Sequence, residues 1–160
     1  MRVIFSRVAF RAILSEVANK SGMETGGVFL GYHRDDSWYV IETIAPGPKA
    51  VFQIAYFEYD QEYIAREINN LAATYQADLT LIGLWHKHPG AYNEFSTTDD
   101  RTNSEFAKLS ADGIISVLVN TDPALMVTPY HVSWPLRYNK IRYIVEDALI
   151  PERLLKKKTP

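Results

Sequence analysis

Cysteine is absent from all 160 residues of the chain. That absence removes disulfides, thiolate zinc clusters and a cysteine nucleophile together, so any metal must be held by nitrogen and oxygen donors. A charge excess is lacking too, since 17 Lys and Arg stand against 19 Asp and Glu. The basic residues are scattered, and the only dense run is Lys156 to Lys158; neither feature gives a reason to bind nucleic acid. Long apolar runs are missing as well. No stretch approaches the ~20 residues of a membrane-spanning helix, and Arg7 and Arg11 interrupt the apolar start before it reaches the length of a signal segment. A cytoplasmic protein without membrane contact is the expectation. What the chain does have is 47% hydrophobic residues, enough for one core at this length. One domain over residues 1–150, followed by a short basic tail over 151–160, is expected.

Periodicity places the elements. A strand at residues 2–5 precedes a helix on which Phe10, Ile13, Leu14 and Val17 share a face, stopped by Ser21 and Gly22. "GGVFLGY" (26–32) and "WYVIETIAP" (38–46) read as strands joined by a polar turn, and "AVFQIAYFEY" (50–59) as a further strand. Asp60 caps a helix carrying Ile64, Ile68, Leu71 and Tyr75. "LTLIGLWH" (79–86) is a buried strand, a helix follows from Thr97 to Leu109, and three runs at 113–120, 125–132 and 136–145 complete the chain. Helices interrupting a mixed, largely antiparallel set of strands indicate an α+β domain or a three-layer α-β-α domain.

The stretch "LIGLWHKHPGAYNEFSTTDDRT" (81–102) concentrates the chemistry. Side chains alternate along a strand, so His86 and His88 project from one face and Lys87 from the other. Asp99 follows beyond a loop broken by Pro89 and Gly90. Two histidines and a carboxylate leave one tetrahedral position open, as in catalytic rather than structural zinc sites. A plainer reading stands beside this one: Ser96 and Asp99 fit an S-x-x-D capping box, and a His-x-His pair on a strand is often structural. The conjunction of all four residues in one short window favours the metal.

These residues resemble the JAMM motif of the JAB1/MPN/Mov34 metalloproteases, H-x-H-P followed by S-x-x-D, here His86, His88, Pro89, Ser96 and Asp99. "METGGVFLGY" (23–32) matches the upstream element of that family, with Glu24 before Gly26 and Gly27. The resemblance implies a cytidine-deaminase-like three-layer fold in the compact form of prokaryotic JAB domains. It implies that His86, His88 and Asp99 hold Zn2+, that Glu24 is the general base, and that Ser96 donates a hydrogen bond to the oxyanion. It further implies an isopeptidase or peptidase acting after the C-terminal Gly-Gly of a ubiquitin-like protein or its conjugates, as in bacterial ubiquitin-like or anti-phage operons, with sulfur-carrier tail processing as the alternative. Lys87 departs from the Ser or Thr that many members carry between the histidines. It faces away from the metal, and no effect on catalysis is expected from it.

Two other classes compete. A cupin-like oxygenase would also use His-x-His, but Glu94 lies too far from His88 and no glycine-rich second motif surrounds His131. A metal-free MPN-type scaffold would lack one or more of the five motif residues. The oligomeric state is left open, a homodimer included. Among the remaining residues, His131 is expected to be a satisfied structural histidine, His33 a solvated turn residue and Trp85 core. Tyr92 and Phe95 would either wall a substrate groove or pack, and Tyr56, Phe57 and Tyr59 would pack along their strand.

Overall fold

The structure, a computed structural model, describes residues 1–53 and 57–160. Strand β1 (Arg2–Phe5) feeds helix α1 (Arg7–Asn19), whose buried face is Ala9, Ile13 and Val17. Ser6 caps this helix: its hydroxyl accepts the Ala9 N–H at 3.0 Å and donates to the Ile41 carbonyl at 2.6 Å, tying the helix start to the sheet. Strands β2 (Thr25–Arg34) and β3 (Ser37–Ile44) form the expected antiparallel pair. The run at 50–59 divides into β4 (Val51–Phe52) and β5 (Phe57–Glu58), which pair with each other. Tyr56, in the middle of that run, lies outside the described residues. Helix α2 (Gln61–Ala73) starts at Asp60, whose carboxylate accepts the Tyr63 N–H at 3.1 Å. Then come β6 (Thr80–Lys87), α3 (Thr97–Ala107), β7 (Ile114–Asn120), β8 (Met126–Ser133), β9 (Arg137–Lys140), β10 (Arg142–Val145) and the short helix α4 (Glu152–Leu155).

Eight strands make one sheet in the order β10-β1-β3-β2-β6-β7-β8-β9. Its neighbours β1/β10, β1/β3 and β6/β7 run parallel, and the other four pairs run antiparallel. The run at 136–145, expected as one strand, is two strands at opposite ends of that order. Only Ile141 separates them, so the sheet must curl until its ends meet; the Ile141 N–H donates to the Pro129 carbonyl of β8 at 3.0 Å across the junction. Helix α1 lies inside the curl. Its apolar face packs on Val3, Phe5, Phe29, Val40 and Val117, while the alternate residues Ile4, Val28, Leu30 and Leu84 face the other way, toward α2 and α3. The domain therefore has three layers: α1, the sheet, and α2 with α3.

Part of the segment expected as a tail is docked. Leu154 is fully buried beside Ile4 and Tyr75, and the chain after it pairs with the end of α2 through Gln76 N–H to Lys156 O (2.9 Å) and Lys158 N–H to Thr74 O (2.7 Å). The side chains of Lys156 to Lys158 are exposed. Among the described residues no helix is long and apolar enough to cross a membrane.

Candidate metal centre

Register brings the motif together. In the β2/β6 ladder Thr25 pairs with Lys87 and Gly26 with His86, so Glu24, one residue before β2, falls beside the end of β6 that carries His86 and His88. Beyond β6 the strand direction continues for one residue, because the His88 N–H donates to the Val119 carbonyl of β7 at 3.0 Å. Both imidazoles then face α3, and their ring centroids lie 5.4 Å apart.

Helix α3 delivers the carboxylate. Ser96 is its N-cap and Asp99 its third residue, and the capping box is fully formed: the Ser96 hydroxyl accepts the Asp99 N–H at 3.2 Å, and the Ser96 N–H donates to Asp99 Oδ2 at 2.7 Å. The Ser96 hydroxyl proton also goes to Asp99 Oδ2, at 2.7 Å. The same carboxylate reaches β6, with Oδ1 2.6 Å from His86 Nδ1 and Oδ2 3.0 Å from His88 Nε2. Glu24 Oε2 lies 3.7 Å from His86 Nε2. The cap that the S-x-x-D spacing allowed and the cluster that the His-x-His spacing allowed are one structure, because the cap aims Asp99 at the histidines.

Glu24, His86 and His88 offer donor atoms that all lie within 4.8 Å of one another, and Asp99 closes the group through its contacts with both histidines. His88 and Asp99 are almost wholly buried. Burial alone would raise the Asp99 carboxyl, but hydrogen bonds from His86 and His88 hold it well below the usual carboxylate range. Burial alone would likewise disfavour an imidazolium at His86, yet Asp99 and Glu24 push His86 up to about 9. His88 Nδ1 has no hydrogen-bond partner among the described residues although it is buried, a cost that folded proteins rarely leave uncompensated. Two imidazoles and two carboxylates converging in a place nearly closed to water are a donor set suited to a divalent metal.

The surroundings hold this group in place. Trp85 is core, as expected, and its indole N–H donates to Thr43 Oγ1 at 2.9 Å; a side chain on Gly27 would collide with that indole. Phe95 packs, stacked on Tyr138 at 4.9 Å, and the Tyr138 hydroxyl donates to Asp100 Oδ1 at 2.7 Å. Tyr92 is about half exposed, with its ring 5.2 Å from that of His88, and its carbonyl accepts a hydrogen bond from the buried Asn120. Tyr59 sends its hydroxyl toward the Trp85 carbonyl at 3.3 Å; burial first and Asp99 second raise its ionisation well above the ordinary tyrosine value. Neither Asn120 nor Tyr138 stood out in the sequence, because a buried Asn in an apolar strand and a Tyr in an alternating one carry no positional signal.

Two histidines lie away from the centre. His131 Nε2 is 2.7 Å from the Asp112 carbonyl, a structural hydrogen bond. His33 is not solvated as expected: it stacks on Trp38 with centroids 3.9 Å apart, and its Nε2 lies 2.8 Å from the Asp35 carbonyl. Trp38, buried beside the turn, offers a flat apolar face that outweighs hydration of the imidazole.

The comparisons agree with the geometry. Residues 6–136 match the family described as prokaryotic homologs of the JAB domain. The chain is 36% identical over 92 residues to the "Probable metalloprotease y4qB" of Sinorhizobium fredii, a match covering 56% of this chain and 56% of that protein; it therefore spans about half the length of this curated relative. The solution structure of protein DSY2949 from Desulfitobacterium hafniense shares the fold, with a TM-score of 0.66 and 12% identity, over 90% of this chain and 92% of that one. With the family matched across most of its length, this chain belongs to the prokaryotic JAB-domain proteins.

Proposed function

We propose that the protein is a zinc-dependent metalloprotease that cuts after the C-terminal Gly-Gly of a ubiquitin-like protein. The observation that carries the reading is the convergence of Glu24, His86 and His88 within 4.8 Å, closed by Asp99. His86, His88 and Asp99 would hold the metal. Bound there, zinc supplies Lewis acidity, polarising a carbonyl and making a water acidic enough to attack near neutral pH.

The chain's own residues do the rest. Glu24 Oε2 is placed beside His86 without belonging to the capping network. It takes the proton of the attacking water and returns it to the leaving amine. Ser96 donates to the oxyanion once its hydroxyl turns away from Asp99, to which it is bonded at 2.7 Å. Tyr92, exposed above His88, walls one side of the approach. The Glu24 N–H donates to the Gln53 carbonyl at 2.9 Å, next to β4. An extended tail ending in Gly-Gly has no side chains to clash at such a centre, and it can pair by its main chain. What favours a metal over a metal-free scaffold is the presence of all four donors together, with the buried His88 Nδ1 left without a hydrogen-bond partner among the described residues.

The test is metal content together with cleavage of a ubiquitin-like protein joined to a reporter through Gly-Gly, in the wild type and Glu24→Gln. We expect about one zinc per chain in both proteins and cleavage in the wild type only. Full activity in Glu24→Gln would remove Glu24 as the base, and zinc without cleavage in the wild type would overturn the substrate class.

A further inference from the structure

The residue between the two histidines has a partner of its own. Lys87 is 1% exposed, and its ammonium donates to the Lys20 carbonyl at 2.6 Å. Lys20 is the C-cap of α1, a helix with no basic residue in its last turn. Lys87 thus brings a cation from β6 to the negative end of the α1 dipole.

That carbonyl also accepts the Met23 N–H at 3.2 Å, so it closes the turn that leads directly to Glu24. Gly22, at φ 73, gives this turn its left-handed residue. The β2/β6 ladder begins only at Thr25, directly opposite Lys87. Before that point the main chain of Glu24 is held through its N–H to the Gln53 carbonyl. Below the turn, Thr25 donates through its hydroxyl to Glu16 Oε1 at 2.7 Å. A buried ammonium costs desolvation that a methionine in the same space would not, so packing alone does not account for a lysine here.

We propose that Lys87 is a positioning residue: bonded to the Lys20 carbonyl, it clamps the 20–24 turn against β6 and so fixes Glu24 relative to His86 and His88. The inference rests on the reading of Glu24 as the general base. Its geometric half stands without that reading. A base that must meet a water and then a leaving amine is sensitive to small displacements, and the clamp acts from the opposite face of the strand that carries the histidines.

The experiment compares wild type, Lys87→Met and Lys87→Arg in two ways. The first is amide hydrogen exchange on the metal-free proteins, followed over residues 20–25 with α1, β6 and β7 as internal references. The second is cleavage of the Gly-Gly reporter by the zinc-loaded proteins. Loss of a charge-assisted hydrogen bond should speed exchange of Met23 and Glu24 by about tenfold or more, with the references unchanged. The methionine variant should hold zinc as the wild type does and lose kcat by about tenfold with KM nearly constant, and arginine should restore much of both losses. Unchanged exchange at 20–25 overturns the clamp. Faster exchange spread evenly over α1, β6 and β7 also overturns it, because that marks general loss of stability. Should the methionine variant fail to fold, Lys87→Gln, too short to reach Lys20, takes its place. A wild type that never cleaves the reporter defeats the substrate reading alone, and the exchange data on metal-free protein then decide the clamp.

Discussion

Asp99 spreads two carboxylate oxygens over His86, His88 and both the amide and hydroxyl of Ser96. Asp99→Asn keeps the shape, removes the charge and turns half of the acceptor group into a donor facing other donors. We expect metal affinity to fall at least about a hundredfold, more than is usual for a supporting partner, as measured by competition with a chelator. The same contacts give the metal-free protein a pH signature. The His86 value is raised, from 6.5 to about 9, so its stabilisation is fully present below pH 6.5 and is lost as pH rises through 9. Thermal melting of the metal-free wild type should therefore fall across that window, and Asp99→Asn should flatten the dependence. Metal loading should have the opposite slope, because a divalent metal takes the neutral imidazole and gains as the proton leaves. A metal-free melting profile that is level from pH 6.5 to 9 would contradict this account of His86.

At the scale of elements, the start of α3 serves the helix and the site with the same side chains. Ser96→Ala should cost about 1 kcal/mol of stability through the lost cap and should lower kcat as well. Ser96→Asn separates these effects: asparagine caps a helix as well as serine does but brings no hydroxyl, so melting should recover while turnover stays low. Recovery of both would leave Ser96 a cap and nothing more. Much of this was legible in the sequence, because strand alternation and the S-x-x-D spacing are local rules that the chain obeys at His86, His88 and Ser96. The division of residues 136–145 was not. In "LRYNKIRYIV" the alternation slips by one residue at Asn139 and Lys140, which a bulge within a single strand would also produce, and neither Gly nor Pro marks a change of partner. The partners, β8 and β1, come from distant parts of the chain. The role of Lys87 was hidden for a related reason: alternation gives its face, but its acceptor is a main-chain carbonyl that no side-chain pattern reveals.

For the molecule as a whole, the curled sheet puts the histidine-bearing end of β6 and the docked C-terminal segment in separate clusters. His86 and His88 sit over α3, while Leu154 packs with Ile4, Leu30 and Tyr75 on the α2 side of the sheet. The parallel pairing of β1 with β10 brings the last residues back to the first strand, and the main chain beyond α4 then pairs with the end of α2. A basic tail read from Lys156 to Lys158 alone misses this, because the docking residue is the apolar Leu154 just before them. Leu154→Ala should leave a cavity costing roughly 3 kcal/mol, which in a chain of this size lowers the melting temperature by about 6–12 °C. Zinc content and turnover measured well below that melting temperature should match the wild type, since Leu154 clusters with Ile4, Leu30 and Tyr75 whereas Ala107 of α3 belongs to a different cluster. A Leu154→Ala protein that melts with the wild type would mean that the segment contributes nothing to the core. One that melts early and also loses zinc would mean that the two clusters unfold as one unit.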